Sequence, residues 1–287
     1  MALDVDAVLN WAFEDVTQTY TRRDAMLYAL GVGFGHDPLD RGDLPFVFEE
    51  PQLQAVPTMA VVLAGPGFWV RDPRSGMDWT KVLHGEQGVT LHRPLPPEAT
   101  VIGRTRVTGI LDKGPGKGAL IYSERTITEA ATGALLATCT STTFARGDGG
   151  QGGTLSEAPR PHVLPDRAPD QVVDLPTLPQ SALIYRLSGD PNPLHASPDV
   201  AASAGFKAPI LHGLCTLGVA GHAILQAVCG NDPARFGGLR LRFSAPVYPG
   251  ETIRTEIWQG GADVSFRARV VERDLVVLDN GHATVTD

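Results

Sequence analysis

The sequence predicts an α+β protein built from two similar halves, and three observations carry that reading. The segment from Leu211 to Val228 is apolar nearly all round, the pattern of a buried helix. Runs with strand character follow it: Leu239–Phe243 alternates with period two, and Thr252–Trp258, Val264–Val271 and part of Leu275–Val285 are rich in β-branched and aromatic residues. A stretch rich in Gly, Pro and charge, residues 146–170, separates this region from an earlier one with the same order of elements. The expected division is a first half at residues 1–145, a linker at 146–170 and a second half at 171–287.

Taken in chain order, Met26–Gly31 parallels Leu183–Ser188, and the Pro-rich turn Arg93–Glu98 parallels Ala245–Glu251. Each turn follows a strand-like run and precedes β-rich sequence, as expected of a duplication. In the second half Ser197 is placed to cap a short helix, Pro198 suits its first position and Asp199 complements its positive end, while Gly205 can stop it. Along the buried segment, Gly213, Gly218, Ala220, Gly221 and Ala223 let neighbouring backbone approach closely.

Composition narrows the function. The chain has 287 residues, of which 43% are hydrophobic and 20% charged, in the range of an ordinary globular protein. Its formal net charge of -8 argues against nucleic acid as a partner, so an anionic ligand would need a local basic patch. Cys139, Cys215 and Cys229 are odd in number and widely spaced, which suggests neither a disulfide framework nor a zinc site and fits a reducing cytoplasm. The acidic start lacks the apolar run of a signal peptide, no segment is long enough to span a bilayer, and the final Thr284–Asp287 is not a Ser-Lys-Leu address. A cytoplasmic location with no membrane partner is the expectation.

The chemistry concentrates in Tyr185-Arg186-Leu187-Ser188-Gly189-Asp190-Pro191-Asn192-Pro193-Leu194-His195. Pro191 and Pro193 keep this segment off a regular helix, so Asp190 and His195 sit on a stiff loop and can turn toward one point. A carboxylate and an imidazole facing one substrate form an acid/base pair. Asn192 suits orientation better than reaction, because its amide does not titrate; it is equally suited to forming the turn. Pro209-Ile210-Leu211-His212-Gly213 leads into the buried helix, whose first turn has unpaired N–H groups and a partial positive charge.

This loop, with Ala201 six residues after the histidine, resembles that of the (R)-specific enoyl-CoA hydratases, also called hydratase 2 or MaoC-like enzymes. The resemblance extends over nearly the whole chain. It implies a double hot-dog fold, with two antiparallel sheets each wrapped round a central helix. It also implies reversible hydration of a trans-2-enoyl-CoA to a (3R)-3-hydroxyacyl-CoA, with coenzyme A part of the substrate, no separate cofactor and a homodimeric assembly. Asp190, His195 and Gly213 become the catalytic candidates, with the Gly213 N–H donating to the thioester oxygen. By analogy His195 is the base and Asp190 orients the water and supplies a proton, although a coupled pair leaves that division open.

Tyr185, Pro191, Asn192, Pro193, Leu194 and His212 are expected at the substrate. His84 and Gly85 in Val82–Gln87, Lys113 in Leu111–Gly114, and Phe243 resemble acyl-CoA contacts, and a lysine on a Gly-rich turn can reach phosphate. The first half has Gly33 where the second has Asp190 and lacks the Asp-x-Asn-Pro-x-His pattern, so one site per chain is expected, and the resemblance implies a wide acyl tunnel in the first half.

The nucleotide-like glycines at Gly31, Gly33 and Gly35 follow a helix-like run, and Gly114–Gly118 lacks phosphate-loop spacing. His195, His212 and His222 have no close metal-ligand spacing, so no metal is expected. Rival readings are a 3-hydroxyacyl dehydratase acting on CoA or carrier-protein thioesters, a thioesterase on the same fold, and a non-catalytic acyl-CoA-binding protein.

Overall fold

The computed structural model describes residues 2–286. The first half contains α1 (Val5–Leu9), β1 (Val16–Tyr20), α2 (Arg22–Gly31), α3 (Leu44–Val47), and then β2 (Val82–Leu91), β3 (Ala99–Asp112), β4 (Ala119–Glu129) and β5 (Leu135–Ala145). The second contains β6 (Gln171–Pro176), α4 (Ser181–Tyr185), α5 (Pro198–Ser203), α6 (Gly213–Ala227), β7 (Phe236–Phe243), β8 (Thr252–Gly260), β9 (Asp263–Val270) and β10 (Leu275–Val285).

All ten strands join one antiparallel sheet in the order β1-β3-β4-β5-β2-β7-β10-β9-β8-β6. Read outward from its centre, one arm is β2-β5-β4-β3-β1 and the other is β7-β10-β9-β8-β6. Each strand of the second arm is the counterpart of the strand five earlier in the chain. The arms join through β2 and β7, where Glu86 faces Arg242 and Val89 faces Leu239. The two expected sheets are thus continuous, and the main hydrophobic core runs beneath both, taking Tyr20 and Tyr28 from one side and Tyr185 and Leu217 from the other, with a smaller cluster around Val8, Ile110 and Ile121 in the first half.

The buried helix of the second half is α6, with Cys215 through Leu225 buried without a break. Each fully buried Leu or Ile there stabilises the fold by about 1.5–3 kcal/mol. Its small residues sit where the neighbours come closest: a Cβ at Gly218 would meet Val32 Cγ1 at 2.4 Å, and one at Gly221 would meet Thr58 Cγ2 at 2.5 Å.

The first half departs from the expectation of a central helix in each half. A six-residue 3-10 turn, Pro57–Val62, stands in the place that α6 takes in chain order. The reason is local. Val61 and Val62 are β-branched, and Gly65 and Pro66 follow, which leaves no room for a long helix.

Residues 146–170 form neither helix nor strand, yet they are tied to both halves. The N–H groups of Gly150 and Gly152 donate to the Asp112 carboxylate at 2.8 and 2.7 Å, and His162 Nε2 meets Ser265 Oγ at 2.7 Å. No helix among the described residues is long and apolar enough to cross a membrane.

Candidate active site

The loop after α4 is shaped by its own sequence. A 3-10 turn at Arg186–Ser188 continues α4, and Gly189 ends it at φ 125°, a conformation that side-chain-bearing residues avoid. The Asp190 carboxylate accepts the Asn192 N–H at 3.1 Å, and Asn192 Oδ1 in turn accepts the Leu194 N–H at 3.1 Å. Pro193 opens the turn that carries His195. Asn192 therefore holds the loop's shape. Pro191, Asn192 and Pro193 are exposed and Leu194 is half-buried, whereas His195 is turned into the protein and buried.

The backbone around His195 sets its tautomer. Its Nδ1 lies 2.8 Å from the Ile210 carbonyl oxygen. A carbonyl only accepts, so Nδ1 carries the hydrogen, and Nε2 of the neutral ring is left with a free lone pair. Burial lowers the pKa of His195 against the opposing effects of the Ile210 hydrogen bond and the Asp190 charge. A neutral imidazole with an unprotonated Nε2 can accept a proton.

His212, just before α6, is also buried. Its ring stacks on His195 with centroids 3.7 Å apart, and its Nε2 lies 3.2 Å from the Asp190 carbonyl oxygen. Burial, then the neighbouring His195, pushes its pKa down to about 4. Gly213 opens α6 and is exposed, and its N–H has no acceptor within its own helix. The buried ring of Tyr185 lies between Tyr28 at 5.8 Å and His212 at 5.1 Å, so it stands beneath the site.

A chain of contacts leads from this loop into the first half. A Cβ on Gly213 would lie 3.2 Å from the Phe243 ring. Phe243 meets His84 edge to face at 4.9 Å. Gly85 follows His84 on β2 beside Phe144, and Lys113 Nζ sits 4.8 Å above the Phe144 ring. Lys113 is exposed on the β3–β4 hairpin, leaving its charge available to an anion. The structure thus places His84, Gly85, Lys113, Gly213 and Phe243 along one path.

Sequence reasoning missed the Ile210 carbonyl, fifteen residues from the ring it orients. It also missed a cavity of ≈ 110 Å³ beside Gly189, walled by Tyr20, Leu27, Met59, Val62 and Leu63 from the first half. These are ordinary buried or half-buried residues, and nothing in their local pattern sets them apart. The structure also brings one ligating atom each of Asp190, His195 and His212 within 4.8 Å of one another, a grouping that sequence spacing concealed.

A sheet of two matched arms with one acid/base loop at the start of one buried helix defines a double hot-dog protein with a single candidate site. Residues 18–147 match the family model of the MFE-2 hydratase 2 N-terminal domain, and residues 162–280 match that of the MaoC like domain. The chain belongs to the MaoC-like hydratase 2 family. It is 41% identical to a Mycobacterium tuberculosis protein named 3-hydroxyacyl-thioester dehydratase Y, over 98% of each chain. It is 38% identical to a protein of Arabidopsis thaliana named enoyl-CoA hydratase 2, peroxisomal, over 95% of this chain and 93% of that one. The crystal structure of a MaoC-like dehydratase from Phytophthora capsici superposes with a TM-score of 0.87 at 40% identity, covering 99% of both chains.

Proposed function

We propose that this protein is a hydro-lyase that adds water reversibly to a trans-2-enoyl-CoA, giving the (3R)-3-hydroxyacyl-CoA. The observation that carries this reading is the His195 tautomer, which leaves a lone pair on Nε2 beside Asp190 and close to the start of α6. His195 Nε2 takes a proton from a water held between it and Asp190 as the water oxygen attacks C3. Electrons move through the conjugated system to the thioester oxygen, where the Gly213 N–H donates to the developing charge. The pair returns a proton to C2 on the same face and ends as it began. No step uses a metal or a separate cofactor.

The acyl chain would enter the cavity walled by Met59 and Val62, and the phosphates of coenzyme A would lie toward Lys113. In this scheme residues 1–145 bind the thioester and residues 171–287 supply the chemistry. A homodimer in a reducing cytoplasm completes the proposal. Three buried, unpaired cysteines support the reducing compartment, and the Arabidopsis relative's name makes a peroxisome the alternative that imaging of the tagged protein would separate.

Purified protein mixed with crotonyl-CoA and a longer trans-2-enoyl-CoA should remove the conjugated absorbance and form the (3R)-hydroxy product, with the rate unchanged by a metal chelator. Release of free thiol would indicate a thioesterase, and binding without turnover would indicate a carrier of acyl-CoA. The name of the Mycobacterium relative favours a second direction, dehydration of a 3-hydroxyacyl thioester. The same groups run it in reverse, and comparing CoA with carrier-protein substrates distinguishes the settings.

A further inference from the structure

We propose that His212 is the positioning residue of this site, tying the Asp190 loop to the start of α6 and holding the His195 ring in place. Its role concerns the hydration chemistry above and rests on that reading.

Three elements meet at this one side chain. Its Nε2–H donates to the Asp190 carbonyl at 3.2 Å, across 22 residues of chain. Its ring lies against His195 with 3.7 Å between centroids and 28° between planes. Its own carbonyl accepts the N–H groups of Cys215 and Thr216 and the Thr216 hydroxyl, which fixes it to the first turn of α6. Gly213 is the next residue. A displacement of His212 therefore moves the carboxylate loop, the base and the oxyanion N–H relative to one another. Only 1% of His212 is exposed, so the surrounding packing holds it firmly.

The remaining ring nitrogen explains why a neutral residue is required here. His212 Nδ1 is buried with no hydrogen-bond partner among the described residues. The groups that face the ring are His195, Asp190, Arg186 and Tyr185. A proton on Nδ1 would add a second buried positive charge beside His195, just where His195 must become charged during turnover. A neutral ring accommodates that charge, and a protonated one would oppose it.

Two variants separate the two contacts. His212→Phe keeps a ring to stack on His195 and removes the donor, whereas His212→Gln keeps an N–H donor and removes the stack. Each should lower kcat by about tenfold or more while leaving the Kd for hexanoyl-CoA, a saturated thioester that cannot be hydrated, within about twofold of wild type. Unchanged kcat in both variants would overturn the proposal. So would weaker hexanoyl-CoA binding at unchanged kcat, which would make His212 a substrate contact only.

Histidine 15N shifts of the unaltered protein provide a test that does not depend on the variants folding. They should show His212 as the neutral Nε2–H tautomer at neutral pH, and a charged or Nδ1–H ring would refute the assignment. Absence of enoyl-CoA hydration in wild type would instead refute the hydratase reading, leaving the tautomer to decide the geometry.

Discussion

Asp190 and Gly33 hold matching places in the two halves, each shortly after the helix that follows an outer strand. Gly213 opens α6, and its counterpart in chain order, Pro57, opens the short turn that replaces that helix. Proline has no N–H to offer an oxyanion. The first-half loop carries no Asp-x-Asn-Pro-x-His pattern of its own and is fastened both to itself and to α6 of the second half. Asp43 accepts the Gly35 N–H at 2.8 Å and lies 3.0 Å from His222 of α6, which stacks on Phe34. A cavity of ≈ 280 Å³ lies beside Gly33 and a smaller one beside Gly189, with Leu27 lining both. The five strands persist in both halves because neither arm of the sheet is complete without the other, whereas catalysis asks for one acid/base loop. Structural constraint and chemical constraint have come apart between two copies of one pattern.

The comparison can be broken first at its chemical end. Asp190→Asn should keep the fold and lower kcat by about 10²–10⁴-fold in crotonyl-CoA hydration, the usual contribution of an acid/base group. Adding Gly33→Asp to that variant should restore nothing: the imidazole beside it, His222, is held by Asp43 at 3.0 Å, and Pro57 offers no N–H where α6 has Gly213. Gly213→Pro makes the second half resemble the first at the helix start. Proline is well tolerated at a first helical position, and His212 already has an extended ψ of 137° before it. The fold should survive while kcat falls by roughly 10²–10³-fold for loss of an oxyanion donor. Gly213→Ala keeps the N–H and crowds Phe243 alike, so it should lose much less. Equal losses in the two would assign the effect to crowding.

The pH dependence separates the halves more gently. The pKa of His195 is lowered from 6.5, so the acid limb of kcat/KM should have its midpoint below that value. His212 binds its proton near 6.5 in the unfolded chain and near 4 in the folded one. The unfolded state therefore holds more protons between those values, and Tm should fall as pH drops through that window and level off above it. The smallest expected effect lies at the fastened loop. Asp43→Ala leaves His222 buried without its partner and should cost about 1–3 kcal/mol, lowering Tm by roughly 5 °C with kcat unchanged.

Much of this was visible in the sequence because it is local. The acid/base loop lies within eleven residues, its prolines and glycine dictate its shape, and α6 announces itself by fifteen residues with hardly a polar side chain. The helix capped by Ser197 also forms, with Ser197 accepting the Val200 N–H and Gly205 following at φ 85°. What local pattern could not show is pairing at a distance. Ile210 orients His195, His212 reaches Asp190, and Met59 walls a cavity beside Gly189, each through contacts between separate elements. The absent first-half helix was legible only in part, since Pro57 and Pro66 bound a segment whose apolar residues fit either a turn or a buried helix.

The central claim is one competent site per chain, in the second half. It is tested most directly by the residual hydration of crotonyl-CoA by His195→Ala, measured beside wild type with chiral analysis of the product. The account predicts (3R)-3-hydroxybutyryl-CoA from wild type and loss of nearly all turnover in the variant, with Tm little changed. About half the activity remaining in a folded variant would place a working site in the first half and contradict it.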